Sequence, residues 1–187
     1  MSDRVSPARR VGICAIAVVV LLLILVYGAL TYPDPGEKPP AAVVDIDGTI
    51  AHYRGQAVVG AVDGSVEILN WLGGCGVKIF YLSSRPIGSI AQTRRWLDDH
   101  GFPPGQVIHK SNPRESRVDY KSREIRKIQD DCRVLFGIGD KLTDLRAYRK
   151  RGIIALDMGL WWWDREELFR DILNEEGIPI GENLDSP

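Results

Sequence analysis

Two aspartates lie two residues apart at the end of an apolar run, in the stretch AVVDIDGTI of residues 42–50. Two close carboxylates repel each other unless a cation or a proton lies between them. Asp45 and Asp47 are therefore candidates for chemistry on a metal-bound group. Gly48 and Thr49 follow at once, as expected where a backbone bends around a ligand. Taken alone, this stretch would also fit a calcium loop or an ordinary turn.

Three more groups of polar residues follow along the chain. The apolar run VKIFYL ends in SSR, whose hydroxyl and guanidinium groups can donate to phosphate oxygens. The segment VDYKSREI places a lysine early in a predicted helix, where its ammonium can balance phosphate charge. The run VLFGIG ends in an aspartate, and a second aspartate comes four residues later. These residues are Ser83, Ser84, Arg85, Lys121, Asp140 and Asp144.

Short apolar runs alternate with amphipathic stretches from residue 41 onward. The predicted strands cover residues 42–46, 77–82, 106–109, 134–138 and 153–156. The predicted helices cover residues 62–72, 89–100, 117–130 and 142–150, and a last helix begins at Asp164 with Glu167 completing a capping box. This alternation indicates an α/β domain of three layers, Rossmann-like, with a central parallel sheet. In such sheets ligands bind beyond the carboxyl ends of the strands, where the aspartates lie.

Together these residues resemble the four motifs of the haloacid dehalogenase (HAD) superfamily of phosphatases. The motifs read DIDGT at residues 45–49, Ser83, Lys121 and GDKLTD at residues 139–144. The resemblance covers about residues 41–150. An aspartate at the second position of the first motif is what the phosphatase branch of the superfamily shows. The resemblance therefore implies an enzyme that hydrolyses phosphate monoesters.

The resemblance also implies a role for each residue. Asp45 would be the nucleophile that forms an aspartyl-phosphate, and Asp47 would act as general acid and then as general base. Ser83 and Lys121 would stabilise the charge of the phosphoryl group. Asp144 would hold the outer shell of the metal or orient Lys121. The expected Mg²⁺ site comprises Asp45, the Asp47 backbone carbonyl, Asp140 and Asp144, and the expected substrate contacts are Thr49, Ser84 and Arg85.

The spacing of the motifs leaves no room for a full cap domain, which in this superfamily often covers small substrates. Only 35 residues separate Asp47 from Ser83, and 37 separate Ser83 from Lys121. An open site would suit a bulky phosphorylated substrate, such as a lipid headgroup, a protein or a nucleic-acid end. The stretch IFYLSSRPIG is similar to the second-motif region of lipin-type phosphatidate phosphatases, and polynucleotide 3′-phosphatases share a similar Ser-x-Arg pattern.

Residues 11–30 form a stretch of 20 residues without a charge. At about 1.5 Å per residue, a helix of this length spans roughly 30 Å, the thickness of the hydrocarbon core of a bilayer. We expect an uncleaved transmembrane anchor, with a cleaved signal peptide and a buried core helix as the alternatives. Arg4, Arg9 and Arg10 precede this segment, whereas only Lys38 lies close behind it. This bias favours a cytoplasmic N-terminus and an extracytoplasmic catalytic domain.

The expected organisation has five segments. They are a short cytoplasmic N-terminus (residues 1–10), the transmembrane anchor (11–30), a Pro-rich linker (31–40), the HAD-like catalytic domain (41–176) and a flexible tail (177–187). The formal net charge of −1 provides no global basic field, so we expect no stable binding of nucleic acid.

Several features have two interpretations in the sequence. Cys75 and Cys132 could pair or remain free thiols, and residues 161–163 (WWW) could form an aromatic platform or pack in the core. The basic set Arg114, Arg117, Arg123, Arg126 and Lys127 could be a solvated helix face or the rim of an anionic-substrate site. For function, the alternatives to a phosphatase are a catalytically silent binding module of the same fold and a phosphotransferase that uses the same intermediate.

Overall fold

The computed structural model describes residues 36–54, 57–158, 162 and 165–180. The chain divides into two units, residues 1–37 and residues 38–187, and every element named below belongs to the second. The predicted N-terminus and anchor, residues 31–35 of the linker and residues 181–187 of the tail lie outside the described residues. Among the helices that the structure does describe, none has the length and apolar character needed to cross a bilayer.

Strands and helices alternate along the described part of the chain. The strands are β1 (Pro40–Val44), β2 (Ala51–Arg54), β3 (Ala57–Ala61), β4 (Lys78–Pro86), β5 (Gly105–Lys110), β6 (Arg133–Gly139) and β7 (Ile154–Asp157). The α-helices are α1 (Ser65–Gly74), α2 (Ile90–Asp99), α3 (Arg117–Asp131), α4 (Leu142–Lys150) and α5 (Glu166–Glu175). A 3₁₀ turn (Ile87–Ser89) joins β4 to α2.

Five of these strands form one sheet in the order β5-β4-β1-β6-β7, and all its neighbouring strands run parallel. β2 and β3 form a separate antiparallel hairpin between the first motif and α1. Because the sheet is parallel, the carboxyl ends of its strands meet at one edge. The predicted α/β architecture with a central parallel sheet is confirmed.

The two faces of β1 are buried in different hydrophobic clusters. Ala42 and Val44 belong to a cluster that includes residues of α1, α2 and α5. Ala41 and Val43 belong to a second cluster, built with residues of α3 and α4. All four side chains are fully buried, as expected for alternate residues of a central strand that is covered on both faces. This packing fixes the end of β1, from which the first motif emerges.

The end of β1 differs from the prediction. The strand stops at Val44 rather than at residue 46. The amides of Ile50 and Ala51 both donate to the carbonyl of Ile46, at 3.1 and 3.0 Å. The chain therefore turns within the first motif, and the two aspartates do not lie side by side on an extended strand.

Two further predictions differ from the structure. β4 continues beyond residue 82 to Pro86, because it keeps pairing with β5 as far as Lys110. The predicted start of the last helix at Asp164 and its capping box are wrong. α5 begins at Glu166, and its N-cap residue, Arg165, makes no side-chain capping hydrogen bond. Instead, Glu166 and Glu167 lie in the first turn, where negative charge is favourable for the helix dipole.

Candidate active site

The four motifs meet at the carboxyl edge of the sheet. Asp45 directly follows β1, Ser83 lies in the last part of β4, and Asp140 directly follows β6. Lys121 comes from the first turns of α3. A pocket of about 200 Å³ opens here, lined by Asp45, Asp47, Ser84, Arg85, Arg117, Lys121, Lys141 and Asp144.

The first and fourth motifs approach each other closely because Gly48 has no side chain. A Cβ atom at this position would lie 2.3 Å from Oδ2 of Asp140. Gly48 also has a φ angle of 89°, in the region that residues with side chains rarely adopt. Glycine is therefore required here both by the backbone conformation and by the neighbouring carboxylate.

Lys121 is the buried centre of the site. Its ammonium donates to Oδ1 of Asp45 and, over 2.7 Å, to Oδ1 of Asp144. The three residues are 1%, 4% and 2% exposed, respectively. Burial raises the pKa of Asp45 to about 6, although Lys121 opposes this shift. Burial also disfavours the charged form of Lys121, but Asp45 and Asp144 together hold the pKa of Lys121 above its ordinary value.

Three carboxylates around this lysine fit a divalent cation. Asp45, Asp140 and Asp144 each offer one oxygen within 4.8 Å of the others. Oδ2 of Asp144 is buried and has no hydrogen-bond partner in the described part of the chain. Hard cations such as Mg²⁺ prefer carboxylate oxygens. The donor set and the orphaned buried oxygen therefore match the divalent metal that the sequence predicts.

Asp47 has different partners from Asp45. Its carboxylate accepts hydrogen bonds from the hydroxyl of Ser83 at 3.0 Å, from Nε of Arg85 at 2.9 and 3.1 Å, and from Nη2 of Arg85 at 2.5 Å. Arg85 is itself held by Thr93, whose buried hydroxyl accepts from Nη1 at 3.1 Å. Each aspartate of the first motif thus has its own basic partner, whereas the sequence predicted one shared cation between them.

Lys141, the residue after Asp140, lies next to two of the predicted metal-binding groups. Its ammonium donates to the backbone carbonyl of Asp47 at 2.9 Å and lies 3.5 Å from Oδ2 of Asp140. Its side chain is about half exposed. The half-exposed ammonium of Lys141 therefore contacts oxygens that the sequence assigned to Mg²⁺.

Only two of the three predicted substrate contacts line the pocket. Ser84 and Arg85 line the pocket. Thr49 is fully buried and does not line it. Its hydroxyl lies 3.3 Å from Oδ2 of Asp45 and 3.3 Å from Oδ1 of Asp140. Thr49 thus joins the first and fourth motifs beneath the pocket.

Trp162 and His109 lie close to the site but do not line the pocket; the sequence left two interpretations for residues 161–163 and predicted no role for His109. Trp162 is fully buried, and its indole donates to the backbone carbonyl of Thr49 at 2.9 Å. His109 pairs with Ser83 across the sheet, and its Nδ1 lies 3.0 Å from the carbonyl of Pro86. Burial lowers the pKa of His109. Core packing is therefore correct for Trp162, while residues 161 and 163 lie outside the described residues.

Arg117 and Lys141 also line the pocket; the sequence named Arg117 only within a basic set that had two interpretations, and it did not predict Lys141 as a site residue. Arg117 lies four residues before Lys121 in the same helix, so the helical period places the two side chains on one face. That spacing is a signal present in the sequence. For Lys141, only its position next to Asp140 could have pointed to the site.

Cys75 and Cys132 are both free thiols.

A scan of the sequence against family models matches residues 42–157, more than half of the chain, to the family described as "PITM 1-3, LNS2 domain". The chain belongs to this LNS2 domain family. The matched residues contain all four motifs and the five strands of the parallel sheet except the first two residues of β1. A search of curated proteins with the LNS2 sequence gave no match.

Several solved structures share the fold of this LNS2 domain. A class C acid phosphatase from Bacillus anthracis is 17% identical, with a TM-score of 0.53, over 79% of this chain and 83% of that chain. The HAD domain of the effector Lem4 from Legionella pneumophila is 12% identical, with a TM-score of 0.56, over 74% and 96%. A chain of the Pnkp1/Rnl/Hen1 RNA repair complex is 20% identical, with a TM-score of 0.54, over 68% and 45%. The LNS2 chain thus spans less than half of that last protein.

These comparisons confirm the resemblance that the motifs indicated. At such low identities the structural matches establish the fold alone, and the family match carries the classification. The chain thus combines a HAD-like fold and lipin-type similarity with motifs like those of the phosphatase branch.

Proposed function

We propose that this LNS2 chain is a membrane-anchored, Mg²⁺-dependent phosphatase that hydrolyses phosphate monoesters through an aspartyl-phosphate on Asp45. The observation that carries the proposal is the buried ammonium of Lys121 between Asp45 and Asp144. Burying three charged side chains is costly unless they serve one another or a ligand. A phosphoryl group at Asp45 would lie within reach of this ammonium.

The two aspartates of the first motif divide the proposed chemistry. A carboxylate oxygen of Asp45 attacks the phosphorus, the bond from phosphorus to the alcohol oxygen breaks, and Asp47 gives that oxygen a proton. A water molecule then attacks the phosphorus of the aspartyl-phosphate, and Asp47 takes a proton from it. Inorganic phosphate leaves, and the carboxylate of Asp45 is restored.

The remaining residues would position these two groups and bind charge. Lys121 holds one oxygen of Asp45 and faces the negative charge of the phosphoryl group. Ser83 and Arg85 fix the carboxylate of Asp47 at the pocket. Asp45, Asp140 and Asp144 would hold Mg²⁺, which when bound would neutralise charge on the phosphoryl oxygens.

The pocket is compatible with a bulky substrate. Between the first and third motifs, the described residues 45–54 and 57–121 contain the β2–β3 hairpin, α1, β4, α2 and β5, and no cap domain. We infer that the phosphate is presented on a large group, such as a lipid headgroup, a protein or a nucleic-acid end. Attachment to a membrane through residues 11–30 favours a lipid headgroup among these. We further propose that the catalytic domain is extracytoplasmic, on the basis of the arginines before residue 11.

The first test is hydrolysis of an aryl phosphate by the full-length chain in detergent, with Mg²⁺ and with EDTA. We expect EDTA to abolish turnover, and we expect tungstate, which is bound in one structure of the class C acid phosphatase, to inhibit it. Asp45→Asn should be inactive, while the matched control Asp63→Asn, at an exposed residue outside the pocket, should retain activity. Turnover by Asp45→Asn or in EDTA would contradict the mechanism.

The same assay separates hydrolysis from phosphoryl transfer. An open pocket admits an alcohol as well as water, so a phosphotransferase would form a new phosphate ester when glycerol is added. We expect inorganic phosphate as the main product both with and without glycerol. The orientation is tested separately, by the accessibility of a C-terminal epitope tag in intact cells.

A further inference from the structure

The pocket contains a cation that the proposed mechanism does not use. Arg117 is the first residue of α3 and lines the pocket together with Asp45 and Lys121. Its side chain is exposed. Among the described residues, its guanidinium has neither a hydrogen-bond partner nor an ion-pair partner. Arg117 thus presents an unbalanced positive charge to the pocket.

The other cations of the pocket differ from Arg117 in this respect. Lys121 is paired with Asp45 and Asp144. Arg85 is paired with Asp47, and Lys141 lies 3.5 Å from the carboxylate of Asp140. These pairings occupy every carboxylate that lines the pocket. The charge of Arg117 is therefore available for an anion that comes from outside the chain.

Two other basic residues near Arg117 in the sequence are paired. Arg123 binds the carboxylates of Glu115 and Glu124, and Lys127 binds Glu124. These two residues form the solvated, ion-paired helix face that was one interpretation of the basic sequence. Arg117 fits the other interpretation, since it is the member of that set that lines the pocket.

The position of Arg117 along α3 indicates which part of a substrate it meets. Lys121 lies four residues later, about 6 Å along the helix axis, on the same face. Lys121 is 1% exposed and contacts the nucleophile, whereas Arg117 is exposed at the mouth. A phosphoryl group attacked by Asp45 lies at the level of Lys121. The alcohol part of the substrate extends outward, toward Arg117.

We propose that Arg117 binds a second anionic group, carried by the alcohol part of the substrate. The preferred substrates would then be phosphate monoesters that also carry a carboxylate or a second phosphate. A guanidinium suits both groups, because its parallel N–H donors match two oxygens at once. This inference rests on the proposed function, in that it takes Asp45 as the point of attack.

The test compares two non-hydrolysable ligands, propylphosphonate and 3-phosphonopropionate, which have similar length and differ by the terminal carboxylate. Their affinities for the full-length chain in detergent and Mg²⁺ are measured by isothermal titration calorimetry. We expect the wild type to bind 3-phosphonopropionate roughly tenfold more tightly, the effect of one charge-assisted hydrogen-bonded pair. Arg117→Gln should lose this preference and keep its affinity for propylphosphonate. Arg117→Lys, which keeps the charge but lacks the two parallel N–H donors, should retain part of the preference.

Arg126→Gln is the matched control, because Arg126 is an exposed arginine of the same helix that does not line the pocket. It should retain the full preference. Equal affinity of the wild type for both ligands, or binding of neither, overturns the proposal. An equal loss of affinity for both ligands in Arg117→Gln also overturns the proposal, since Arg117 would then bind the phosphoryl group itself.

These outcomes are independent of turnover. A chain that shows the binding preference but hydrolyses no phosphate would refute the proposed function and leave the second anion site. Conversely, a chain that hydrolyses aryl phosphate but shows no preference would keep the function and lose this inference.

Discussion

Replacing Lys121 by methionine should strongly destabilise the metal-free protein. The ammonium is the shared partner of Asp45 and Asp144, and all three side chains are nearly inaccessible to water. Methionine fills a similar volume but leaves both carboxylates without their cation. Removing one partner of a buried ion pair costs about 3–5 kcal/mol. Because two carboxylates lose the same partner, we expect a loss in the upper part of that range.

The assay is urea unfolding at neutral pH in EDTA, followed by tryptophan fluorescence. Trp162 is fully buried, so unfolding should change the emission. The control is Lys127→Met in the same helix; the Lys127 side chain is 61% exposed, and its ammonium lies 3.1 Å from the carboxylate of Glu124. Exposed pairs of this kind contribute about 1 kcal/mol or less, so this control should stay close to the wild type.

Two further measurements test the cause of the destabilisation. Adding Asp144→Asn to Lys121→Met removes one of the two uncompensated charges, so the double variant should be more stable than Lys121→Met alone. Mg²⁺ should also restore stability to Lys121→Met, because the same carboxylates would bind it. A Lys121→Met variant within about 1 kcal/mol of the wild type in EDTA, and unchanged by Asp144→Asn, would refute the reasoning.

Three other predictions concern neighbouring residues. Gly48→Ala should destabilise the protein by about 1–3 kcal/mol in urea unfolding, since it strains a φ of 89° and drives a Cβ into the carboxylate of Asp140. The pKa of His109 is lowered by burial, so the unfolded state binds its proton more readily. The free energy of unfolding should therefore be highest above about pH 6.5 and should decrease at lower pH. His109→Asn should reduce this pH dependence. Lys141→Gln should bind Mg²⁺ up to about fivefold more tightly, because a half-exposed ammonium no longer competes for Asp140 and the Asp47 carbonyl. Calorimetry measures this affinity, and an unchanged value would show that Lys141 does not compete with the metal.

Most of the fold could be read from the sequence because its main signal is local. Each strand of a parallel sheet covered on both faces must be an apolar run, and each helix must show one apolar side. The predicted helix at residues 142–150 has the bounds of α4, and the predicted helix at residues 117–130 ends one residue before α3. Boundaries failed where pairing or turning depends on a distant segment. β4 runs on to Pro86 because β5 continues beside it.

The same distinction between local and long-range information applies to the site. Its residue types and their order were visible in the sequence, because three of the four groups follow apolar runs that end at the same edge of the sheet, and Lys121 lies early in a predicted helix. Their partners were not visible, since the pairs join residues far apart in the chain. Asp45 lies 76 positions from Lys121, and Thr49 lies 113 positions from Trp162. The sequence therefore determined which chemical groups are present and that they meet at one edge. Only the tertiary structure decided that Asp47 pairs with Arg85 and that Arg117 has no partner among the described residues, because the packing of β1, β4 and α3 sets these distances.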